Sequence, residues 1–174
     1  MDILGFILIA AVAGVGGGTL RDLLLGLTPV FWIAEPANVV LVITAAILTY
    51  WLLPQIRQRD CWILWMDAIG LAVFAVLGAQ AALLHDAPAI VAIVMGVITA
   101  TFGGIMRDVL CAEVLTLMRP ELYISCALLS AFGFVSLIQL NVDHTISALV
   151  AFAAGVILRG LAIIYHLTLP NTSR

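Results

Sequence analysis

Two stretches of the chain, Val15-Gly16-Gly17-Gly18-Thr19-Leu20-Arg21-Asp22-Leu23-Leu24 and Thr101-Phe102-Gly103-Gly104-Ile105-Met106-Arg107-Asp108-Val109-Leu110, carry one pattern twice. Gly17 and Gly103, Gly18 and Gly104, Arg21 and Arg107, and Asp22 and Asp108 match at a constant offset of 86 residues. Glu35 and Glu121 keep that offset, each at the mouth of the apolar stretch that follows. Two glycines and a charge pair, preserved together inside apolar surroundings, mark an internal repeat.

The surroundings of both copies are long apolar runs. A helix needs about 20 such residues to cross a bilayer, and six stretches approach or exceed that length: 2–26, 36–53, 61–84, 88–110, 121–140 and 144–168. The connections between them are short and hold the turn and charge residues, among them Pro29, Pro54, Arg57, Arg59, Arg119 and Pro120. The stretch at Met1 lacks a basic leader and runs into glycine and charge, so it is predicted to remain as a membrane helix. Trp32, Trp51, Trp62, Trp65 and Tyr50 cluster near span ends, as an aromatic belt does.

Composition agrees. Of 174 residues 64% are hydrophobic and 10% are charged, with a mean hydropathy of +1.23. Soluble domains carry about 25% charged residues, so this chain cannot cover a water-facing surface. The net charge is −3, all seven basic residues are Arg and there is no Lys. Nucleic acid is therefore excluded as a partner, and membrane lipid is the expected surrounding. Cys61, Cys111 and Cys126 have no metal spacing. His85, His144 and His166 lie near the interfaces without an i, i+4 partner, so no metal site and no cofactor is expected. No nucleophile, base and acid stand at a recognisable spacing, which argues against an enzyme.

Counting spans makes the repeat inverted. The two motif helices are the first and the fourth, so they cross the membrane in opposite directions. A three-helix unit must flip when duplicated in tandem, and inverted repeats commonly place a transport site near the bilayer midplane. The chain divides into a first unit at 1–53, a second at 61–140 and a final helix at 144–168, within one transmembrane domain. In the second unit the motif helix is preceded by a helix containing Asp67-Ala68-Ile69-Gly70-Leu71-Ala72-Val73-Phe74. Its counterpart in the first would fall before residue 1. A lost helix, a misplaced start and a truncated chain all fit that absence. Arg57, Arg59, Arg119 and Arg174 fall on one side, whereas 27–35, 85–87 and 141–143 contain no Arg. The positive-inside rule then puts both termini in the cytoplasm.

The repeated motifs hold the candidate functional residues. Adjacent glycines kink helices, and carbonyls freed by a kink at membrane depth must face protein or water, where they can serve as cation ligands. Gly16, Gly17, Gly18, Thr19, Gly103 and Gly104 are thus expected to line a pore, or alternatively to allow close helix packing. Charges at mid-membrane cost about 2.5–3.5 kcal/mol, which singles out Arg21, Asp22, Arg107 and Asp108. Neighbours on a helix do not face each other, so Arg21 is expected to reach toward Asp108 or a carbonyl, and Arg107 toward Asp22. Such cross-repeat pairs fit an ion-pair lock as well as a role in permeation. Asp67 is expected to be an ordinary helix cap, Glu35 and Glu121 helix starts, and Glu113 a mouth residue. Thr99, Thr101 and Ser125 are weaker candidates for a polar path.

At these residues the sequence resembles a known family. GGGTLRDLLLG from Gly16 with PVFWI from Pro29, GGIMRDVL from Gly103, and DAIGLAVFAVLGA from Asp67 are similar to the prokaryotic branch of the trimeric intracellular cation (TRIC) channels. Bacterial relatives of that branch also carry a glycine-transporter label. The resemblance spans nearly all of 2–168. It implies an all-α integral membrane fold of seven helices, two inverted three-helix repeats plus a final helix, assembled as a homotrimer in the inner membrane. It further implies a path in each protomer for monovalent cations, K⁺ in particular and Na⁺ besides, lined by the glycine-kinked helices. The animal channels have lysine in the kinked region, for which Arg21 and Arg107 are the available substitutes here. A small-solute carrier for glycine is the competing function, since the same Arg and Asp residues suit a carboxylate and an ammonium.

Overall fold

A computed structural model describes residues 2–52, 59–112, 122–165 and 167–168. These residues form α1 (Ile3–Leu24), α2 (Phe31–Ala34), α3 (Ala37–Leu52), α4 (Arg59–Leu84), α5 (Ala89–Leu110), α6 (Ile124–Gln139) and α7 (His144–Tyr165). The fold is all-α. Helices α1, α4, α5 and α7 are long and apolar enough to cross a bilayer, and α3 and α6 are shorter apolar helices of 16 residues. Arg57, Arg119, Arg174, Glu113, Glu121 and His166 lie outside the described residues, as do the side chains of Arg59 and Asp60.

Local chemistry explains where several of the helices start and stop. After α1 the chain turns at Gly26, φ +70°, with Leu27 N donating to Asp22 O and Gly26 N to Leu23 O. This is the paired closure that a left-handed residue allows at a helix end. Asp86 after α4, Ala112 after α5 and Asn141 after α6 also have positive φ. Ala112 occupies the place of Gly26 in the second copy, 86 residues on. Asp2 caps α1 by accepting from Gly5 N, and Asp143 caps α7 by accepting from Thr145 N and Ile146 N.

Helix α5 sits centrally, against α1, α4 and α6, while α4, α6 and α7 close around one another and α3 packs on α1. The core between α4, α5, α6 and α7 is built from small residues. Ala72, Ala75, Ala79 and Ala82 of α4 are buried, with Ala92 of α5, Ala127 and Ala131 of α6 and Ala151 of α7. Without water to drive apolar burial, membrane helices associate through close packing that small residues permit. A Cβ on Gly96 would come within 2.5 Å of Ala75 O, and one on Gly78 within 2.5 Å of Thr99 Oγ1. The outward faces carry exposed Leu4, Leu8, Val40, Leu41, Trp51, Ile90 and Leu149, an apolar exterior suited to lipid.

Two expectations change. The connection 27–35 contains a helical turn, α2, folded back onto α1. Trp32 Nε1 donates to Thr19 Oγ1 at 2.9 Å, so this indole is tied to the neighbouring helix besides serving the belt. Asp67 lies well inside α4, because nothing between Arg59 and Asp67 breaks the helix; it therefore meets a partner helix instead of capping its own.

Candidate functional site: a glycine-lined cavity between α1, α4 and α5

The repeated glycines meet where α1 crosses α5. Gly17 lies against the backbone carbonyl of Thr99, and Gly103 against that of Ala13. Contacts pairing 17 with 99 and 13 with 103 require the two helices to run antiparallel. The 86-residue offset exchanges the two contacts, Gly17 for Gly103 and Ala13 for Thr99, so the crossing has a local two-fold symmetry. This is the inverted repeat in atomic form.

The glycines do not break their helices. Both α1 and α5 are continuous through the motifs, so the kinks expected from adjacent glycines are not helix breaks. Removing Cβ instead allows the two backbones to approach, and the space beside the crossing remains open. Gly18 takes the edge of the Phe31 ring, and the Tyr123 hydroxyl stands 3.0 Å from where a Cβ of Gly104 would be.

That open space is a cavity of about 200 Å³ lined by Gly14, Gly17 and Gly18 of α1, Thr99, Gly103, Gly104 and Arg107 of α5, Asp67, Gly70 and Phe74 of α4, and Tyr123. Of the predicted residues, Gly17, Gly18, Gly103, Gly104 and Arg107 are brought together there. Gly16, Thr19, Arg21, Asp22 and Asp108 are not in the lining. Gly16 faces Met106, and Thr19 Oγ1 donates to Val15 O while accepting from Trp32. Thr99 and Thr101 likewise donate to carbonyls four residues back, at Met95 and Val97. This is the usual way a hydroxyl is satisfied inside a membrane helix.

The charge pairs form within each copy and not across the dyad. Arg21 Nε and Nη2 both donate to Asp22 Oδ1, at 2.8 and 2.6 Å. Arg107 Nε and Nη2 donate to Asp108 Oδ1, at 2.9 and 2.8 Å. Adjacent Cβ atoms diverge, but the guanidinium stem is long enough to curl back onto the next carboxylate. The aspartates, 2% exposed each, point into protein. Asp22 also accepts from Phe31 N at 2.7 Å, pinning α2, and the Phe31 ring lies 5.7 Å from the Arg21 guanidinium. Arg107 extends further than Arg21: its Nη1 donates to Asp67 Oδ1 at 3.2 Å, joining α5 to α4.

Two charged residues were missed by sequence reasoning. Sequence alone reads Asp67 as a cap, because an acidic residue near a predicted helix start has that ordinary use. Arg159 of α7 is fully buried, with its guanidinium 5.3 Å from the centre of the Tyr123 ring. Its signal was legible: a single Arg within the apolar stretch 144–168.

An inverted-repeat helical membrane protein with a glycine-lined cavity beside its dyad is the class that this fold and site define. The family model described as "Glycine transporter" matches residues 1–54 and 64–139. A Vibrio cholerae UPF0126 membrane protein is 37% identical over 172 residues, 98% of this chain and 72% of its own length. The UPF0126 inner membrane protein YadS of Escherichia coli is 35% identical over 173 residues, 98% of this chain and 84% of its own. Among solved structures, the TRIC trimeric intracellular cation channel orthologue from Rhodobacter sphaeroides superposes with a TM-score of 0.92 at 46% identity, covering 96% of this chain and 86% of that one. A prokaryotic TRIC channel crystallised in 0.5 M KCl superposes at 0.88 with 30% identity, covering 97% and 86%. The chain belongs to the prokaryotic TRIC channel family, the UPF0126 membrane proteins whose family model bears the glycine-transporter description. It is a multi-pass protein of the prokaryotic inner membrane.

Proposed function

We propose that this protein is a passive monovalent-cation channel, with K⁺ the principal ion, conducting through the glycine-lined cavity of each protomer in a homotrimer. The carrying observation is the cavity itself, which lies at the antiparallel crossing of α1 and α5 and presents the Asp67 carboxylate and the Tyr123 hydroxyl to a space of about 200 Å³. Oxygen ligands in a protein-walled space at membrane depth are what a partly dehydrated cation needs. The TRIC cation channels that share the fold support the same reading. The chain is read as a transport protein and not as an enzyme. The test is single-channel recording of the purified protein in planar bilayers under a KCl gradient. Discrete steps reversing near the K⁺ potential are expected; silent bilayers overturn the proposal.

A second reading has its own observation. Asp67 and Arg107 lie side by side in the cavity and could hold the ammonium and carboxylate of glycine. Saturable glycine counterflow in liposomes, with no current steps, favours that carrier.

A further inference from the structure

Asp22 and Asp108 are the carboxylates that the repeated motif advertises, yet neither reaches the cavity. Each is buried and held at one oxygen by two nitrogens of its neighbouring arginine. Their charge is neutralised where it stands. Among the described residues, Asp67 is the one carboxylate in the cavity lining, with 17% of its side chain accessible.

The Asp67 partner is weakly committed to it. Arg107 gives Nε and Nη2 to Asp108, at 2.9 and 2.8 Å, and only Nη1 to Asp67, at the longer 3.2 Å. Releasing Asp67 would leave the two bonds to Asp108 intact. The guanidinium is also the more exposed partner, at 33%. Arg159, the other nearby cation, stands behind the Tyr123 ring and outside the lining. A cation entering the cavity therefore meets one carboxylate whose present counter-ion is tethered, partly solvated and held elsewhere.

We infer that Asp67 is the residue that discriminates cations from anions in this cavity, with the Arg107 guanidinium as a tethered cation that the permeant ion displaces from it. This rests on the channel reading and adds the specificity determinant to it. The role is unequal between the repeats. Arg21 has no second acidic partner among the described residues comparable to Asp67, so one end of the path carries the selecting charge.

Gly70 provides an independent handle. It lies one helical turn from Asp67, lines the cavity, and a Cβ added there meets nothing within 4 Å. A side chain can thus be started beside Asp67 without its first carbon forcing the packing.

The experiment measures the K⁺ to Cl⁻ permeability ratio from reversal potentials under a KCl gradient, on protein whose trimer peak is intact. Asp67→Asn is expected to lower the ratio by about tenfold, the low end of what a charged cleft contributes to local counter-ion concentration. Asp67→Glu should retain most of it. Gly70→Lys should lower the ratio and Gly70→Asp raise it. A conducting wild type with an unchanged ratio in Asp67→Asn overturns the role of Asp67 and leaves the channel intact. If Asp67→Asn does not assemble, an unchanged ratio in Gly70→Lys overturns it equally. A wild type without current overturns the channel reading, and this inference falls with it.

Discussion

Gly17 of α1 touches the Thr99 carbonyl of α5 so closely that no side-chain atom fits between them, and the same contact recurs between Gly103 and Ala13. The two contacts lock the repeats about their dyad. Gly17→Ala and Gly103→Ala must each push one helix backbone away. Each is expected to lower stability by about 1–3 kcal/mol, the usual cost of overpacking, although alanine is the better helix former by about 1 kcal/mol. Gly70→Ala, with open space around the added carbon, should be neutral or stabilising. Thermal unfolding in detergent distinguishes them; equal melting temperatures for all three would contradict the steric account.

Ala112 carries a left-handed backbone, φ 53°, at the position where the first copy has Gly26 at φ 70°. A left-handed conformation costs an L-residue about 1–2 kcal/mol. Ala112→Gly is therefore expected to raise stability by up to about 1 kcal/mol, and Gly26→Ala to lower it similarly. The same unfolding assay reads both signs.

Asp22 does structural work for α2. Its carboxylate holds Arg21 through Oδ1 and Phe31 N through Oδ2. Asp22→Ala leaves a largely buried guanidinium without that partner, for which about 3–5 kcal/mol is typical. A large fall in melting temperature is the expected outcome. Faster proteolysis within 25–35 would show that α2 has come loose.

Arg159 holds its flat, delocalised guanidinium over the Tyr123 ring, 5.3 Å from its centre. A lysine cannot reproduce that plane or its several donors. Arg159→Lys keeps the charge yet should destabilise by about 0.5–2 kcal/mol, the range of a desolvated cation–π contact. A melting temperature equal to wild type would mean that charge alone matters there.

Gly104 lines the cavity beneath the Tyr123 hydroxyl. A leucine side chain at this point would occupy much of a space of about 200 Å³. Gly104→Leu is expected to abolish current while the protein still assembles, provided that the cavity is the path. Wild-type conductance in a folded Gly104→Leu protein would move the path elsewhere.

Much of this protein was written along the chain. Apolar runs located the four membrane-length helices and the two shorter apolar ones among the described residues, since a bilayer demands continuous hydrophobicity. The 86-residue spacing of Gly17-Gly18 and Arg21-Asp22 with their second copies, together with an odd number of helices per unit, determined that the repeats are inverted. What the glycines and charges do there was a matter for the tertiary structure. Whether Gly17 bends a helix or admits another depends on what stands opposite it, and Thr99 is 82 residues away. Whether Arg107 reaches Asp22, Asp108 or Asp67 depends on the crossing of α1, α4 and α5, which sets distances that no spacing encodes. Asp67 looked like a cap because sequence shows only its own helix. Its place in the cavity exists only once α4 is laid beside α5.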